Sequence, residues 1–165
     1  VALFGGGGFN FASATDPEGN ALPDATGILV ASDEPGVRAK AFTLSSNKWP
    51  HLGERDGFLV RASFGRFGDD ALVRADEDDL VDYALDDLKA ITGFDGRATG
   101  VEEIYTQRWF GGIPRYDEKY LATVAAVSAA LADVPGIATA GAWADGVGVP
   151  AVIAGARAAA QALVS

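Results

Sequence analysis

A glycine-rich turn that leads into an alanine-rich segment is the feature of this sequence most suited to chemistry. It lies in residues 141–160, GAWADGVGVPAVIAGARAAA, where Gly146 and Gly148 precede Pro150. Glycines leave backbone N–H groups accessible, and the N-terminus of a following helix adds a partial positive charge. Such a turn favours an anion or an electron-rich carbonyl oxygen, as a nucleotide or a flavin would present. A plain strand–turn–helix connection has the same pattern, so that interpretation also stands.

Other kinds of chemistry have little support in the sequence. There is no cysteine and a single histidine, His51, which excludes thiolate metal sites and argues against a metal site built on histidines. No Gly-x-Ser-x-Gly motif is present, which argues against a serine hydrolase. We therefore predict no metal ion, no cysteine chemistry and no serine hydrolase.

The chain is strongly acidic, with 13 Lys and Arg against 23 Asp and Glu and a net charge of -10. Phosphate binding needs clustered cations, so we predict no nucleic-acid partner. Nine of the acids fall between residues 69 and 87. We interpret them as a solvated helix face with acids favoured at its N-terminus, and a cation site is the alternative.

The length and composition suit one domain or a large part of one. The chain has 165 residues, of which 48% are hydrophobic, enough for a real core. It has no signal peptide and no run of about 18 apolar residues, so we predict a cytoplasmic protein and leave peripheral membrane contact open. Because the sequence begins at Val1 within a strand-like run and contains no methionine, we expect it to be part of a longer protein.

Short apolar runs between turn signals predict a sheet in the first part of the chain. Strands are expected at residues 1–4, 27–31, 37–44, 57–64 and 101–109, with a poorly ordered loop over residues 5–26. An apolar stripe of period 3.6 (Leu80, Val81, Ala84, Leu85, Leu88, Ile91) predicts a helix from an N-cap at Asp76 to Gly93, with Glu77, Asp78, Asp82, Asp86 and Asp87 off the stripe.

The last third predicts a second helix, a strand and a third helix. Asp117 can cap a helix with the stripe Tyr120, Val124, Val127 and Leu131 that stops at residues 134–136. A small-residue strand over residues 137–142 would follow, then the glycine-rich turn and a last helix with Pro150 at its first position. Gly155 would let that helix pack close to the strand. The predicted fold class is α+β, with a mixed, largely antiparallel sheet and helices, followed by a terminal strand–turn–helix.

Several segments, taken together, resemble one family. They are GILV at residues 27–30, SSNKWPH at 45–51, RASFGR at 61–66, QRW at 107–109, IPRY at 113–116, PG at 135–136 and AGAWADGVGVP at 140–150. In this order and spacing they resemble the C-terminal portion of the protoporphyrinogen and coproporphyrinogen oxidases, FAD-dependent enzymes of haem biosynthesis related to amine oxidases. The resemblance covers nearly the whole chain, and its most specific parts are KWPH and GVGVP.

The resemblance implies a reaction and a cofactor. The full-length enzyme would dehydrogenate a porphyrinogen with FAD, and oxygen would reoxidise the flavin to give hydrogen peroxide. The implied cofactor-binding residues are Trp109, Gly146, Val147, Gly148 and Val149, and the implied substrate-binding residues are Gly27, Ile28, Leu29, Val30 and Lys48. Arg61 is a further candidate partner for substrate propionates. The KWPH form in an acidic chain inclines towards the bacterial coproporphyrinogen type.

The resemblance also implies a domain division. Residues 1–108 would belong to a substrate-binding domain and residues 109–165 to the C-terminal part of an FAD-binding domain. No Gly-x-Gly-x-x-Gly motif occurs here, so we expect the other part of the flavin site, and the N-terminal half of the enzyme, to lie outside this chain. The isolated chain is then expected to be inactive, and to form a homodimer that covers its apolar surface.

The sequence departs from the family at several places. The family often has Gln at Arg115, Gly-His at Lys119 and Tyr120, Tyr at Trp143, and Ser at Ala154. Two alternatives stay open: a non-catalytic α+β fragment that binds no flavin alone, or another amine oxidase-type flavoenzyme. The second alternative should lack the segments at 45–51 and 107–116, which argue against it.

Overall fold

The computed structural model describes residues 2–66 and 71–164, except for the side chains of residues 2–5 and 73. In this part of the chain the strands are β1 (Ala2–Phe11), β2 (Gly27–Leu29), β3 (Ala41–Leu44), β4 (Phe58–Phe64) and β5 (Val101–Ile113). The helices are α1 (Ser45–Lys48), α2 (Pro50–Gly53), α3 (Ala71–Arg74), α4 (Glu77–Thr92), α5 (Gly96–Thr99), α6 (Glu118–Ala132), α7 (Ala142–Asp145) and α8 (Val149–Val164). The predicted α+β class with a largely antiparallel sheet is confirmed.

Two compact units make up the described chain. The first holds residues 3–110, and the second holds Ala2 with residues 111–164. Trp109, which the family resemblance places beside a flavin, therefore belongs to the first unit. The assignment of residues 1–108 to a substrate domain and residues 109–165 to a flavin domain stays a prediction.

The first unit is built on a sheet with the strand order β2-β3-β4-β1-β5. The pairs β2–β3, β3–β4 and β4–β1 are antiparallel, so residues directly opposite each other share a face. Val60, Ala62 and Phe64 of β4 are buried on one face and belong to a single core with the apolar stripe of α4. The other large members of this core are Phe9, Phe11, Leu22, Phe42, Leu44, Leu80, Leu85, Leu88 and Phe94.

Helix α4 has the predicted ends and the predicted apolar stripe. Asp76 is the N-cap, and the C-cap Gly93 adopts the left-handed conformation with φ 79°, which glycine tolerates without strain. Leu80, Ala84 and Leu88 of the stripe are buried. Asp76 makes no side-chain capping hydrogen bond, so its contribution at the helix N-terminus is its negative charge.

The prediction that the acids of this helix lie on its solvated face is wrong for Asp87. Its side chain is buried, and one carboxylate oxygen accepts the backbone N–H groups of Arg38 and Ala39, each at 2.7 Å. Because those two N–H groups are directed at Asp87, β3 begins at Ala41 instead of residue 37. Asp69 and Asp70 of the acidic run lie outside the described residues. Within residues 2–66 and 71–164, no group of three or more acids or histidines could hold a metal ion.

The predicted loop over residues 5–26 is wrong in its first part, because β1 continues to Phe11. The strand is held by pairing with β4, in which Gly6 lies opposite Ser63 and Gly8 opposite Arg61. A Cβ on Gly6 would lie 2.6 Å from the carbonyl oxygen of Ala62, so that position requires glycine. Val1, where the predicted first strand begins, lies outside the described residues.

Asp16 orders the rest of this loop, which the sequence predicted to be poorly ordered. Its carboxylate accepts the backbone N–H groups of Glu18 at 3.0 Å, Asn20 at 2.8 Å and Asp95 at 2.9 Å. These bonds, that from Asp95 most of all, lower the pKa of Asp16 to about 2. The loop is therefore attached to the segment that follows α4.

The second unit begins with the helix that the sequence predicted. Asp117 is the N-cap of α6, and its carboxylate accepts the backbone N–H of Tyr120 at 2.9 Å. The predicted stripe Tyr120, Val124, Val127 and Leu131 is half-buried. This helix follows local signals that the sequence shows directly.

The predicted strand over residues 137–142 is not formed. Residues 137–140 have no regular structure, and α7 begins at Ala142. An extended segment needs a neighbouring strand for its backbone groups, and no described strand pairs with this one. Gly155 of α8 therefore packs on a different element, because a Cβ there would overlap the carboxylate of Asp145 in α7. Helix α8 starts at Val149, which makes Pro150 its second residue.

Candidate functional site

One face of the sheet in the first unit lies opposite the core and forms a wall that a ligand could reach. We call it the open face. Its residues form two rows across the strands, Gly27, Thr43, Arg61 and Gly8 in one row and Leu29, Ala41, Ser63 and Gly6 in the next. Leu29 is 89% exposed, and Arg61 is exposed as well. The strand register thus brings apolar surface and a guanidinium group together.

A recess of about 80 Å³ lies on the open face. It is lined by Gly6, Gly7, Gly8, Arg61, Ser63, Tyr105, Gln107 and Trp109. The three β5 residues are alternate in sequence, so they share a face of the strand. Tyr105 and Trp109 are 65% and 42% exposed, and the Tyr105 hydroxyl donates to Gln107 Oε1 at 2.9 Å. Exposed aromatic rings beside a guanidinium suit a flat apolar group that carries a carboxylate.

Three cations lie near one another at β3 and β4. Lys40 Nζ donates to the carbonyl oxygen of Gly65 at 3.2 Å, and Arg66 Nη2 donates to the carbonyl oxygen of Val30 at 3.1 Å. Burial lowers the pKa of Lys40, and the positive charges of Arg66 and Arg61 lower it further. In a chain with a net charge of -10, this is a local region of positive potential that suits carboxylates.

The structure separates the predicted substrate-binding residues. Gly27 and Leu29 lie on the open face, in the same rows as the recess residues, whereas Ile28 and Val30 are half-buried and pack against the core. Lys48 is exposed at the end of α1, with its Nζ 5.6 Å from the centroid of the Trp49 ring. Substrate contact by all five residues stays a prediction, and the register favours Gly27 and Leu29.

The predicted flavin-facing turn lies in the second unit, between α7 and α8. Gly146 has φ 113°, a conformation that favours glycine, and a Cβ on Gly148 would meet only Pro150 Cδ, at 3.9 Å. Val147 and Val149 are 50% and 71% exposed. Bare backbone at the N-terminus of a 16-residue helix fits an electron-rich oxygen of the kind that a flavin ring carries.

Two tyrosines of the second unit hold α7, which comes just before this turn. Tyr116 donates a hydrogen bond to the carbonyl oxygen of Ala142, and Tyr120 donates one to that of Trp143 at 2.7 Å. Their rings meet edge to face with centroids 5.7 Å apart. Partial desolvation raises the pKa of Tyr116, and electrostatic repulsion from Tyr120 and Asp145 adds to this.

The recess contains residues that the sequence did not single out for a site: Gly6, Gly7, Gly8, Ser63, Tyr105 and Gln107. One signal for the β5 residues was present in the sequence. In a strand, Tyr105, Gln107 and Trp109 have the two-residue spacing of a shared face, and Trp109 was already a candidate. Nothing in the sequence indicated that the glycines of β1 would lie beside them.

Comparison with known proteins gives close relatives over most of the chain. No model of a known protein family matches the sequence. A protein of Mycobacterium tuberculosis named coproporphyrinogen III oxidase is 42% identical over 137 residues, which are 83% of this chain and 28% of that protein. A Bacillus subtilis protein of the same name is 30% identical over 136 residues, 81% of this chain and 28% of that protein.

A solved structure agrees with these relatives. It is a crystal structure from an Exiguobacterium species, provisionally identified as a protoporphyrinogen oxidase, with a TM-score of 0.78 and 26% identity. The match covers 100% of this chain. The chain belongs to the porphyrinogen oxidase family. The chain spans 36% of the Exiguobacterium chain and about 28% of the two bacterial relatives.

Among the residues that the structure describes, no helix is both long and apolar enough to cross a membrane.

Proposed function

We propose that this chain supplies a substrate-binding wall and a flavin-facing turn to an FAD-dependent oxidase that dehydrogenates a porphyrinogen. The observation that carries the proposal is the open face, on which the recess joins Arg61 to Tyr105 and Trp109. The family membership gives the reaction class, and the recess gives a surface of matching chemistry. A volume of about 80 Å³ is small for a whole ligand site, so it would hold one edge of a macrocycle.

Each group on this wall has a defined task in the proposal. Arg61 would bind a propionate through a charge-assisted hydrogen bond, with Lys40 and Arg66 adding to the positive potential. Tyr105, Trp109 and Leu29 would contact the apolar parts of the pyrrole rings and exclude water from them. These contacts would position the substrate, and no side chain is required to act as a nucleophile.

In the proposal, the turn at Gly146, Val147, Gly148 and Val149 would hold the flavin, and the cofactor role of Trp109 stays a prediction from the family resemblance. When bound, FAD would supply the two-electron acceptor: each dehydrogenation would transfer a hydride to it and release a second proton, and oxygen would then take two electrons and two protons to form hydrogen peroxide. The positive end of α8 would favour negative charge on the reduced cofactor. FAD binding by this chain is a proposal that the bare backbone of the turn supports.

Coproporphyrinogen is the favoured substrate. The two bacterial relatives reported above carry its name, at 42% and 30% identity. Coproporphyrinogen has more propionates than protoporphyrinogen, which suits Arg61 on the wall together with the nearby Lys40 and Arg66.

Titration of the chain with coproporphyrin III, the oxidised product, tests the substrate wall. We expect binding that quenches the fluorescence of Trp109, and about a tenfold loss of affinity in Arg61→Gln, since one charged hydrogen bond is worth about 1.5–3 kcal/mol. The control Arg157→Gln removes the same charge from α8 and should leave affinity unchanged. Absence of porphyrin binding by the wild-type chain would count against the substrate wall.

A hybrid enzyme tests the reaction. The matching segment of the Mycobacterium tuberculosis relative can be replaced by this chain, since the two are 42% identical over 137 residues. We expect the hybrid to bind FAD, to convert coproporphyrinogen to fluorescent coproporphyrin, and to release hydrogen peroxide. A folded hybrid that retains FAD and releases neither product would refute the proposed function.

A further inference from the structure

We propose that Gly8 is a specificity-determining residue, whose missing side chain leaves room for one edge of a tetrapyrrole against the backbone of β1. This inference rests on the proposed function and adds a subsite to it. Gly8 lies on the open face, directly opposite Arg61 in the pairing of β1 with β4, and it lines the recess with Tyr105 and Trp109.

The neighbouring glycines have a structural reason to be glycine. A Cβ on Gly6 would lie 2.6 Å from the carbonyl oxygen of Ala62, and a Cβ on Gly7 would lie 2.9 Å from that of Tyr105. Both distances are shorter than side chains tolerate, and backbone atoms cannot swing away. The fold itself therefore requires glycine at positions 6 and 7.

The fold does not require glycine at position 8. A Cβ there would meet only Leu59 Cδ1, at 3.9 Å, which is an ordinary van der Waals contact. Its φ is not in the left-handed region. A side chain at this position of a central strand would also reduce the entropy lost on folding, because glycine loses more freedom than any other residue. Glycine inside a strand often marks a site where a ligand approaches the backbone closely.

The residues around Gly8 indicate which kind of ligand group would approach it. The recess is about 80 Å³, and any side chain on Gly8 would project into it beside Arg61. A flat ring edge could lie on the bare backbone between the aromatic groups of β5 and the guanidinium, with a propionate directed at Arg61. An added methyl or isopropyl group would occupy this space.

The inference predicts opposite effects on stability and binding. Gly8→Ala should leave the unfolding midpoint unchanged or raise it, because the new Cβ has room, whereas Gly6→Ala should lower it. Coproporphyrin III should bind about threefold more weakly to Gly8→Ala and about tenfold or more weakly to Gly8→Val, as overpacking of a filled site predicts. A purely structural glycine would not give this combination.

The experiment measures porphyrin fluorescence and thermal unfolding for the full 165-residue chain and each variant. The control Ala90→Leu adds three carbons, as Gly8→Val does, at an exposed position of α4, and should leave binding unchanged. If Arg61→Gln weakens binding while Gly8→Val stays within about twofold of the wild type, the inference is wrong and the substrate wall stands. If Gly8→Ala destabilises the chain as Gly6→Ala does, the inference is also wrong. Failure of the wild-type chain to bind porphyrin overturns the substrate wall together with this inference.

Discussion

Asp87 is a buried carboxylate on a helix that is otherwise acidic only at its surface. It is 1% exposed and accepts the backbone N–H groups of Arg38 and Ala39. The Arg38 guanidinium lies 3.9 Å from its other oxygen and 4.1 Å from the centroid of the Tyr83 ring. This one side chain joins α4 to the segment that enters β3, where Lys40 lies.

We predict that Asp87→Asn destabilises the chain by about 1–3 kcal/mol, because a neutral amide oxygen accepts the two N–H groups more weakly than a carboxylate does, and the NH2 group then faces the Arg38 guanidinium. Urea unfolding followed by circular dichroism measures this. Asp86→Asn is the matched control, since Asp86 forms an exposed ion pair with Arg97 at 2.6 Å and its loss should cost less than about 1 kcal/mol. Equal losses of stability in the two variants would show that the buried hydrogen bonds to Asp87 contribute no more to stability than the exposed ion pair of Asp86.

Asp16 gives the fold a dependence on acid pH. Its pKa in the folded state is about 2, below the ordinary value of 3.8, so its ionised form stabilises the fold above about pH 4. That contribution is lost as the pH falls from about 4 towards 2, because the unfolded state takes up the proton first.

We predict that Asp16→Asn is less stable than the wild type at pH 7 and that the difference shrinks between pH 4 and pH 2. Denaturant midpoints at pH 7, 4, 3 and 2 measure it, and subtraction of the two curves removes the effect of the other carboxylates. Asp24→Asn changes an exposed aspartate of the same loop and serves as the control. A difference for Asp16→Asn that does not change with pH would contradict the assigned role of its hydrogen bonds.

At the scale of elements, α7 and α8 pack closely against each other because Gly155 has no side chain. The Asp145 side chain lies against the bare Cα of Gly155, where a Cβ would overlap its carboxylate. Since Asp145 directly precedes Gly146, this contact helps to fix the start of the proposed flavin turn.

We predict that the effect of Gly155→Ala depends on Asp145. In the wild type the substitution should destabilise the chain by about 1–3 kcal/mol through overpacking. In an Asp145→Gly background the whole side chain is absent, including the Cβ that would lie 3.0 Å from the new one, and the same substitution should stabilise by about 0.5–1 kcal/mol, because alanine favours a helix over glycine. A double-mutant cycle by thermal unfolding measures both values, and the same sign in both backgrounds would show that the two residues do not interact.

At the scale of the whole molecule, the chain exposes much apolar surface despite its negative charge. No described residue of α6 or α8 is buried, and Leu121, Ile153 and Leu163 are each about half exposed. Contiguous apolar surface of this kind marks places where other protein surfaces bind. The homodimer expected from the sequence stays a prediction.

We predict that the isolated chain self-associates as its concentration rises, and that Ile153→Lys weakens this association. Sedimentation velocity over a range of concentrations measures the mass. Gln161→Lys adds the same charge at an exposed polar position of α8 and should have a smaller effect. A monomer at every concentration would show that the dimer expected from the sequence is wrong for this chain.

Features controlled by neighbouring residues were predicted well. Asp76, Gly93 and Asp117 mark helix ends through their own chemistry, and the stripes of α4 and α6 follow from spacing alone. The prediction failed at short helical turns: α1 and α2 interrupt the segment 45–53, where no helix was expected. A single turn has too few local hydrogen bonds for composition to indicate it.

By itself, the sequence determined the family, the α+β class and the positions of the long helices, because these depend on motif order, hydrophobic period and capping residues. Only the tertiary structure decided that four consecutive glycines form part of a strand and that Asp87 faces inward. Only the strand register could place Gly8 opposite Arg61 on a face shared with Leu29. The physical reason is that pairing between distant strands, and burial against them, outweighs local preference, and neither can be read from neighbouring residues.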